Sequence, residues 1–260
     1  MNDKTQADLL FEEYLASVGL TAEYEPPLGV KRPDYLVHAR PGDVLCEVEE
    51  FGEGEVDRKE QEQLRAGGVA SGALDPYQRI RDKLNIAGKQ LRESKARLPC
   101  AVVLRNPGRL VNLSTTIVQG AMYGDIGVTV GIDPSGRRPP VDKGLRFDPK
   151  RAKLRRHQNT TISAVAVLER IRPNAHMIEN ALAENRHRQA RSGWPTVEEF
   201  ENDLKVAEKV RQEHPEVDLE VVRLRVIHNP YAALALSPEA FNGPHDEQYG
   251  LGRTIGSSPG

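Results

Sequence analysis

Apolar residues recur at helical spacing near the start of the chain. Ala7, Leu10, Phe11, Tyr14, Leu15 and Val18 fall on one stripe, which predicts a helix over about Thr5 to Val18, stopped by Gly19. At about 100° per residue, Asp8 and Glu12 share one flank of that stripe and Glu13 points away. A short strand around Ala22 to Glu25 precedes Pro26-Pro27. Two apolar runs follow, Tyr35-Leu36-Val37 and Val44-Leu45-Cys46 onward, with Pro41 and Gly42 between them, as in a hairpin. From Pro76 to about Lys95 the spacing is helical again: Ile80, Leu84, Ala87 and Leu91 form the buried stripe, and Lys83 and Gln90 share one edge of it. The apolar run Cys100 to Leu104 then reads as a strand, closed by Asn106-Pro107-Gly108. Helix followed by strand in this order implies a crossover, hence a mixed sheet with a helix over one face.

Further along, the pattern predicts a short helix over Ile117 to Tyr123, strands over Ile126 to Ile132 and Thr160 to Leu168, and a strand over Val217 to His228. Two polar helices, Asn174 to Arg191 and Thr196 to Glu213, are separated by Ser192-Gly193-Trp194-Pro195, where Trp194 reads as a packing anchor. Residues 52–75 are polar and rich in Gly, Ala and Ser, a loop with a helical piece over 55–65. Residues 134–157 read as a basic loop, and 237–260, rich in Gly, Pro and Ser, as a flexible tail. The expected organisation is one domain over 1–236, with its core in 5–106 and a helical elaboration over 174–214.

Composition fits a globular protein: 260 residues, 38% hydrophobic, 28% charged, formal net charge -2. No run of about 18 apolar residues marks a membrane span and no basic-then-apolar leader stands out, so the expected location is the cytoplasm. Cys46 and Cys100 each sit in an apolar run, as small buried side chains rather than a disulfide. The seven histidines form neither HxH nor HExxH, and no phosphate-binding GxxxxGK[ST] loop occurs.

The chemistry is carried by acids. Asp34 stands at the start of one strand, and Glu47 and Glu49, two apart, project from the same face of the next. Three converging carboxylates repel unless a cation neutralises them, and hard divalent ions are what carboxylate oxygens hold best. The alternative is the solvated face of an edge strand. Charge is also unevenly spread: Arg137, Arg138, Lys143, Arg146, Lys150, Arg151, Lys153, Arg155 and Arg156 face only Asp142 and Asp148 within 137–156. Such a segment can hold phosphates electrostatically, or can be a solvated loop.

The order helix, strand, strand with Asp34, strand with Glu47 and Glu49, helix with Lys83 and Gln90, strand resembles the PD-(D/E)XK, restriction-endonuclease-like nuclease superfamily. Pro33-Asp34, twelve residues, then Glu47-Val48-Glu49 carry the likeness. It covers about residues 5–106, and its motif is short. The resemblance implies an α/β fold with a mixed central sheet flanked by helices, here with C-terminal strand and helix elaborations. It implies a Mg²⁺-dependent endonuclease, with Mn²⁺ able to substitute, that hydrolyses phosphodiester bonds, in DNA by preference, in restriction or phage defence. Asp34 and Glu47 would hold the metal, with Asp8 or Glu12 as the helix acid. Where the family usually has lysine this chain has Glu49, which would be a further ligand or the base orienting water. Lys83 would supply the displaced positive charge at the phosphate, and Gln90 would position water or phosphate; for both, an ordinary helix border is the alternative. The basic residues from Arg137 to Arg156 would hold the nucleic-acid backbone. A homodimer or a protein partner would allow two-strand cleavage. A catalytically inactive module of the same fold, binding nucleic acid or a protein, is the competing expectation.

Overall fold

The computed structural model describes residues 4–29, 31–52, 75–107, 111–131, 141–148, 151–189, 196–250 and 253–257. The loop and helical piece expected within 53–74, and Trp194, lie outside these. The chain divides into two compact units, Met1–Glu169 with Leu224–Gly260, and Arg170–Arg223.

The larger unit is built on a mixed sheet flanked by helices. Helix α1 (Gln6–Ser17) begins where Thr5 and Asp8 cap each other, the side chain of each accepting from the backbone N–H of the other. It leads into strands β1 (Thr21–Tyr24), β2 (Tyr35–His38) and β3 (Val44–Glu50), an antiparallel meander. Helix α2 (Gln78–Glu93) then crosses to β4 (Cys100–Arg105), which runs parallel to β3. The connection is a helical crossover, as parallel pairing requires. Helix α3 (Thr115–Tyr123) and a separate two-stranded ribbon, β5 (Asp125–Gly131) with β6 (Val141–Asp148), precede β7 (Ile162–Ile171), which pairs parallel to β4. With β8 (Val221–His228), β9 (Glu247–Gly250) and β10 (Arg253–Ser257), the main sheet has the order β1-β2-β3-β4-β7-β8-β9-β10.

Alternation along β3 sorts its side chains between two layers. Leu45 joins Ile80, Leu84, Ala87 and Leu91 of α2 in one core cluster, together with Cys100, Val102 and Leu104 from β4. Glu47 and Glu49 follow Leu45 at intervals of two and so lie on the α2 face. Tyr35 belongs to the other layer, where its ring meets Phe11 of α1 edge-on at 5.3 Å between centroids. Both cysteines are buried and free.

Two expectations give way. The basic segment 134–157 is not all loop: Val141, Leu145 and Phe147 alternate along β6, a strand signal diluted by the charges between them, and Phe147 packs edge-on to Tyr123 at 5.7 Å. Nor are residues 237–250 a free tail, because Phe241 and Ala240 are buried and β9 runs parallel to β8. Its low apolar content hid a polar anchor: Asp246, also buried, accepts from Leu224 N and Gly243 N, each at 2.7 Å, and from the Tyr14 hydroxyl at 2.5 Å.

The smaller unit carries α4 (His176–Gln189), α5 (Val197–Glu213) and a 3-10 turn (Pro215–Asp218) where the strand was expected to begin. Thr196 and Glu199 cap α5 reciprocally. Asp203 accepts from Asn185 Nδ2 at 3.0 Å and Arg186 Nε at 2.8 Å, and these bonds hold its carboxyl below the ordinary range. No described helix is long and apolar enough to cross a membrane.

Candidate metal centre and basic cleft

Strand register brings the first two acids together. Tyr35 faces Cys46 across the β2-β3 pair, so Asp34, one residue earlier, comes opposite Glu47, one residue later. Asp34 is fixed there by the backbone N–H of Val48, which donates to its Oδ2 at 2.8 Å. Glu47 is only 1% exposed. Its Oε2 accepts from Gln90 Nε2 at 3.1 Å, and its Oε1 is buried without a hydrogen-bond partner among the described residues.

The electrostatics follow from this geometry. Burial, with the Asp34 carboxylate adding to it, pushes Glu47 up to about 9. Burial also raises Asp34, to about 6; the Val48 N–H opposes it, and the charges of Asp8 and Glu49 add to it. Two adjoining carboxyls that resist ionisation, one of them with an orphaned buried oxygen, are a poor arrangement for a bare protein. They suit a divalent cation, which would take the place of the proton in the hydrogen bond between Asp34 and Glu47 and occupy Glu47 Oε1.

The third acid of the motif is differently placed. Lys83 Nζ donates to Glu49 Oε2 at 2.7 Å, so helix α2 delivers a cation to the third acid of the strand. Lys83 and Gln90, seven residues apart on α2, thus reach Glu49 and Glu47, two apart on β3. Both edge residues singled out in the sequence meet the acid strand.

The helix acids are not brought into one ligand group with this pair. Helix α1 covers the opposite face of β3, so Asp8 and Glu12 do not project alongside Glu47. Asp8 spends its Oδ2 on Thr5, although its charge is felt at Asp34; Glu12 pairs with Lys4 at 2.5 Å and accepts from the Tyr35 hydroxyl at 3.2 Å. Among the described residues no group of three or more His, Cys, Asp or Glu is arranged to hold a metal. The set that fits a cation is therefore the Asp34–Glu47 pair, with the remaining positions left to water, backbone oxygen or substrate.

His38 and Ser163, near these strands, have structural partners. His38 lies between Asp43, at 3.1 Å, and Glu23, at 3.5 Å, on the exposed end of β2. Ser163 accepts from Cys100 N at 2.9 Å and donates to Leu234 O at 2.6 Å.

Of the basic residues, Arg137, Arg138 and Lys150 lie outside the described residues, and Lys143 and Arg146 lie on β6. Arg151, Lys153 and Arg155 line a cleft of about 400 Å³ together with Gln78, Arg81 and Gln158. Sequence reasoning missed Arg81, which is 1% exposed. The available signal was its place on α2, seven residues before Gly88 and within the buried arc, where an uncompensated charge is not tolerated. Asp75 holds Arg81 Nη1 at 3.1 Å, Asp125 holds Nη2, and the guanidinium lies 5.0 Å from the centre of the Tyr77 ring.

The fold and this pair define an α/β protein with a mixed, helix-flanked sheet bearing paired carboxylates at adjoining strand positions. No family model and no curated protein matches the chain. A similar solved structure is that of Pyrococcus furiosus SfsA in complex with Ca²⁺, at 14% sequence identity, covering 54% of this chain and 61% of that chain, with a TM-score of 0.21. The match thus spans less than two thirds of SfsA, and nothing about activity is drawn from it.

Proposed function

We propose that this protein is a metal-dependent nuclease that hydrolyses phosphodiester bonds in DNA, with Mg²⁺ as its ion and Mn²⁺ as a substitute. The observation that carries the reading is the Asp34–Glu47 pair: two carboxyls at opposed strand positions, both raised, with Glu47 Oε1 buried and unpartnered. Asp34 and Glu47 would hold the ion, which when bound polarises a phosphodiester and lowers the pKa of water.

The remaining roles belong to side chains of the chain itself. Gln90, hydrogen-bonded to Glu47, holds that carboxylate in one rotamer and leaves its second amide hydrogen for water or a phosphate oxygen. Lys83 lies where a developing negative charge on phosphate would be met, once its contact with Glu49 is shared with substrate. Glu49 is then positioned to take a proton from water, with Lys83 steadying its ionised form. The basic segment that includes Arg151, Lys153, Arg155 and Arg156 would hold the DNA backbone.

One observation favours a non-catalytic module instead: the Lys83–Glu49 ion pair, in which each charge satisfies the other. Incubation of plasmid and linear DNA with Mg²⁺ or Mn²⁺ separates the two readings. Cleavage by the wild type, lost in both Asp34→Ala and Glu47→Ala with DNA binding retained, is the expected result. Binding without cleavage of any DNA under either ion would give the protein to the module reading.

A further inference from the structure

The connection between β1 and β2 reaches the C-terminal end of α2 before it returns to Asp34, and three described points fix it. Glu25, in the left-handed region at φ 46°, donates its backbone N–H to Asp34 O at 2.8 Å, which ties the connection to the residue that bears the first acid. Leu28 packs against the core cluster that α2 shares with β3 and β4. Gly29, at φ 70°, lies against the last turn of α2. A Cβ there would stand 2.6 Å from backbone atoms of Glu93 and Ser94, so the close approach requires glycine.

Lys31, two residues on, is thereby held beside the end of α2. Its Nζ is 3.7 Å from Glu93 Oε2, longer than a hydrogen bond, and its side chain is 51% exposed. Glu93 follows Gln90 by three residues, so the two are neighbours on the helix surface, and Gln90 is the residue that bonds Glu47. Lys31 is close enough for its charge to oppose the rise of Glu47, yet it is not spent on that carboxyl: Oε2 accepts from Gln90, and Oε1 has no partner among the described residues. Two cations therefore bracket the acid strand along α2, Lys83 on one side of Gln90 and Lys31 on the other. Lys83 and Glu93 are ten residues apart, about 15 Å along the helix. Lys83 is committed to Glu49 at 2.7 Å, whereas Lys31 has a loose contact in solvent.

We infer that Lys31 is a substrate-binding residue, which takes a non-bridging oxygen of a backbone phosphate next to the scissile one, beyond Gln90 from Lys83. The inference rests on the nuclease reading above and adds the path of the strand, which follows α2 from Lys83 past Gln90 to Lys31. Exchanging a solvent-exposed contact at 3.7 Å for a phosphate oxygen gives up little. The anchoring of the connection at Glu25, Leu28 and Gly29 keeps the ammonium at a set place relative to Asp34, so the phosphate it holds sets the register of the strand over the acid pair. A phosphate that does not react is held alike before and during the reaction, so Lys31 acts on binding and not on the chemical step.

Fluorescence-anisotropy titration of a duplex DNA oligonucleotide, in EDTA and over a range of salt, reads this contact without cleavage. Lys31→Ala is expected to bind about fivefold more weakly at low salt and to reduce the slope of log affinity against log salt by about 0.9, the share of one phosphate. Lys31→Arg is expected to bind like wild type, and Glu93→Gln, which frees Lys31 without removing it, to bind at least as tightly. In cleavage with Mg²⁺, Lys31→Ala should raise KM by about fivefold with kcat within about twofold of wild type. An unchanged salt slope in Lys31→Ala, equal weakening by Glu93→Gln, or a fall in kcat with KM unchanged would each overturn the inference and leave the metal reading standing. The expected change of slope without cleavage under Mg²⁺ or Mn²⁺ would do the reverse: Lys31 would stand as a contact to nucleic acid, and the nuclease reading would fall.

Discussion

Lys83 Nζ stands 2.7 Å from Glu49 Oε2, joining the helix edge of α2 to the acid strand across 34 residues of chain. Both side chains keep some contact with solvent, 31% for Lys83 and 13% for Glu49, so the pair contributes little to stability, about 1 kcal/mol or less. In the proposed function its place beside Asp34 and Glu47 would give it a chemical role instead. Lys83→Ala is expected to lower DNA cleavage by about 10²-fold or more while shifting unfolding by no more than about 1 kcal/mol. Lys83→Arg should keep part of the rate, because it retains a cation at the same place. Cleavage unchanged in Lys83→Ala would remove Lys83 from the mechanism.

The acid pair makes the metal-free protein sensitive to pH in a defined direction. Glu47 is raised from 4.5 to about 9 and Asp34 from 3.8 to about 6, so between these values the folded state binds more protons than the unfolded one. Stability is then fully present below about pH 4 as far as these groups are concerned. It falls as pH rises through about 6 for Asp34 and on to about 9 for Glu47, by at most about 1.4 kcal/mol per pH unit per group. Urea denaturation in EDTA at a series of pH values should show this decline, and Glu47→Gln should remove the part above about pH 6. A flat profile between pH 6 and 9 in the wild type would mean that Glu47 ionises normally.

Mg²⁺ or Mn²⁺ is expected to counter that decline by stabilising the ionised pair. At one hundred times its dissociation constant, an ion bound only by the folded state adds about 2.7 kcal/mol. The melting temperature at pH 8 should therefore rise with either ion in the wild type and not in Asp34→Ala or Glu47→Ala. An equal rise in all three proteins would place the ion elsewhere.

Asp246 predicts a large stability effect far from the acid pair. It is buried and accepts from two backbone N–H groups and the Tyr14 hydroxyl, tying the C-terminal segment to α1 and to the start of β8. Asp246→Ala leaves those donors without partners and is expected to cost about 3 kcal/mol or more, read by urea denaturation. Tyr14→Phe, which removes one donor only, should cost about 1 kcal/mol.

The elements that carry the acids were legible because their patterns are local. The stripe of α1, the Pro76-led stripe of α2 and the alternation of β3 each occupy one segment, and each recurs in the fold within two residues of the expected bounds. Lys83 and Gln90 could be placed on one helix edge for the same reason. β6 and the segment around Phe241 were missed because their few apolar residues are diluted by charged or small ones; pairing with β5 holds the first, and a single buried carboxylate with the β8-β9 pairing holds the second.

The sequence by itself determined which residues share a face: Glu47 with Glu49, Lys83 with Gln90, and Asp8 with Glu12, since the helical and strand periods are properties of the local backbone. Tertiary structure alone decided which faces meet. The β2-β3 register set Asp34 opposite Glu47, the crossover brought α2 over Glu47 and Glu49, and α1 went to the other side of the sheet, taking Asp8 and Glu12 out of the acid group. It also decided that Arg81, an unremarked charge in the chain, is buried between Asp75 and Asp125 at the wall of a basic cleft. Those outcomes depend on contacts between different elements of the chain, which no local period encodes.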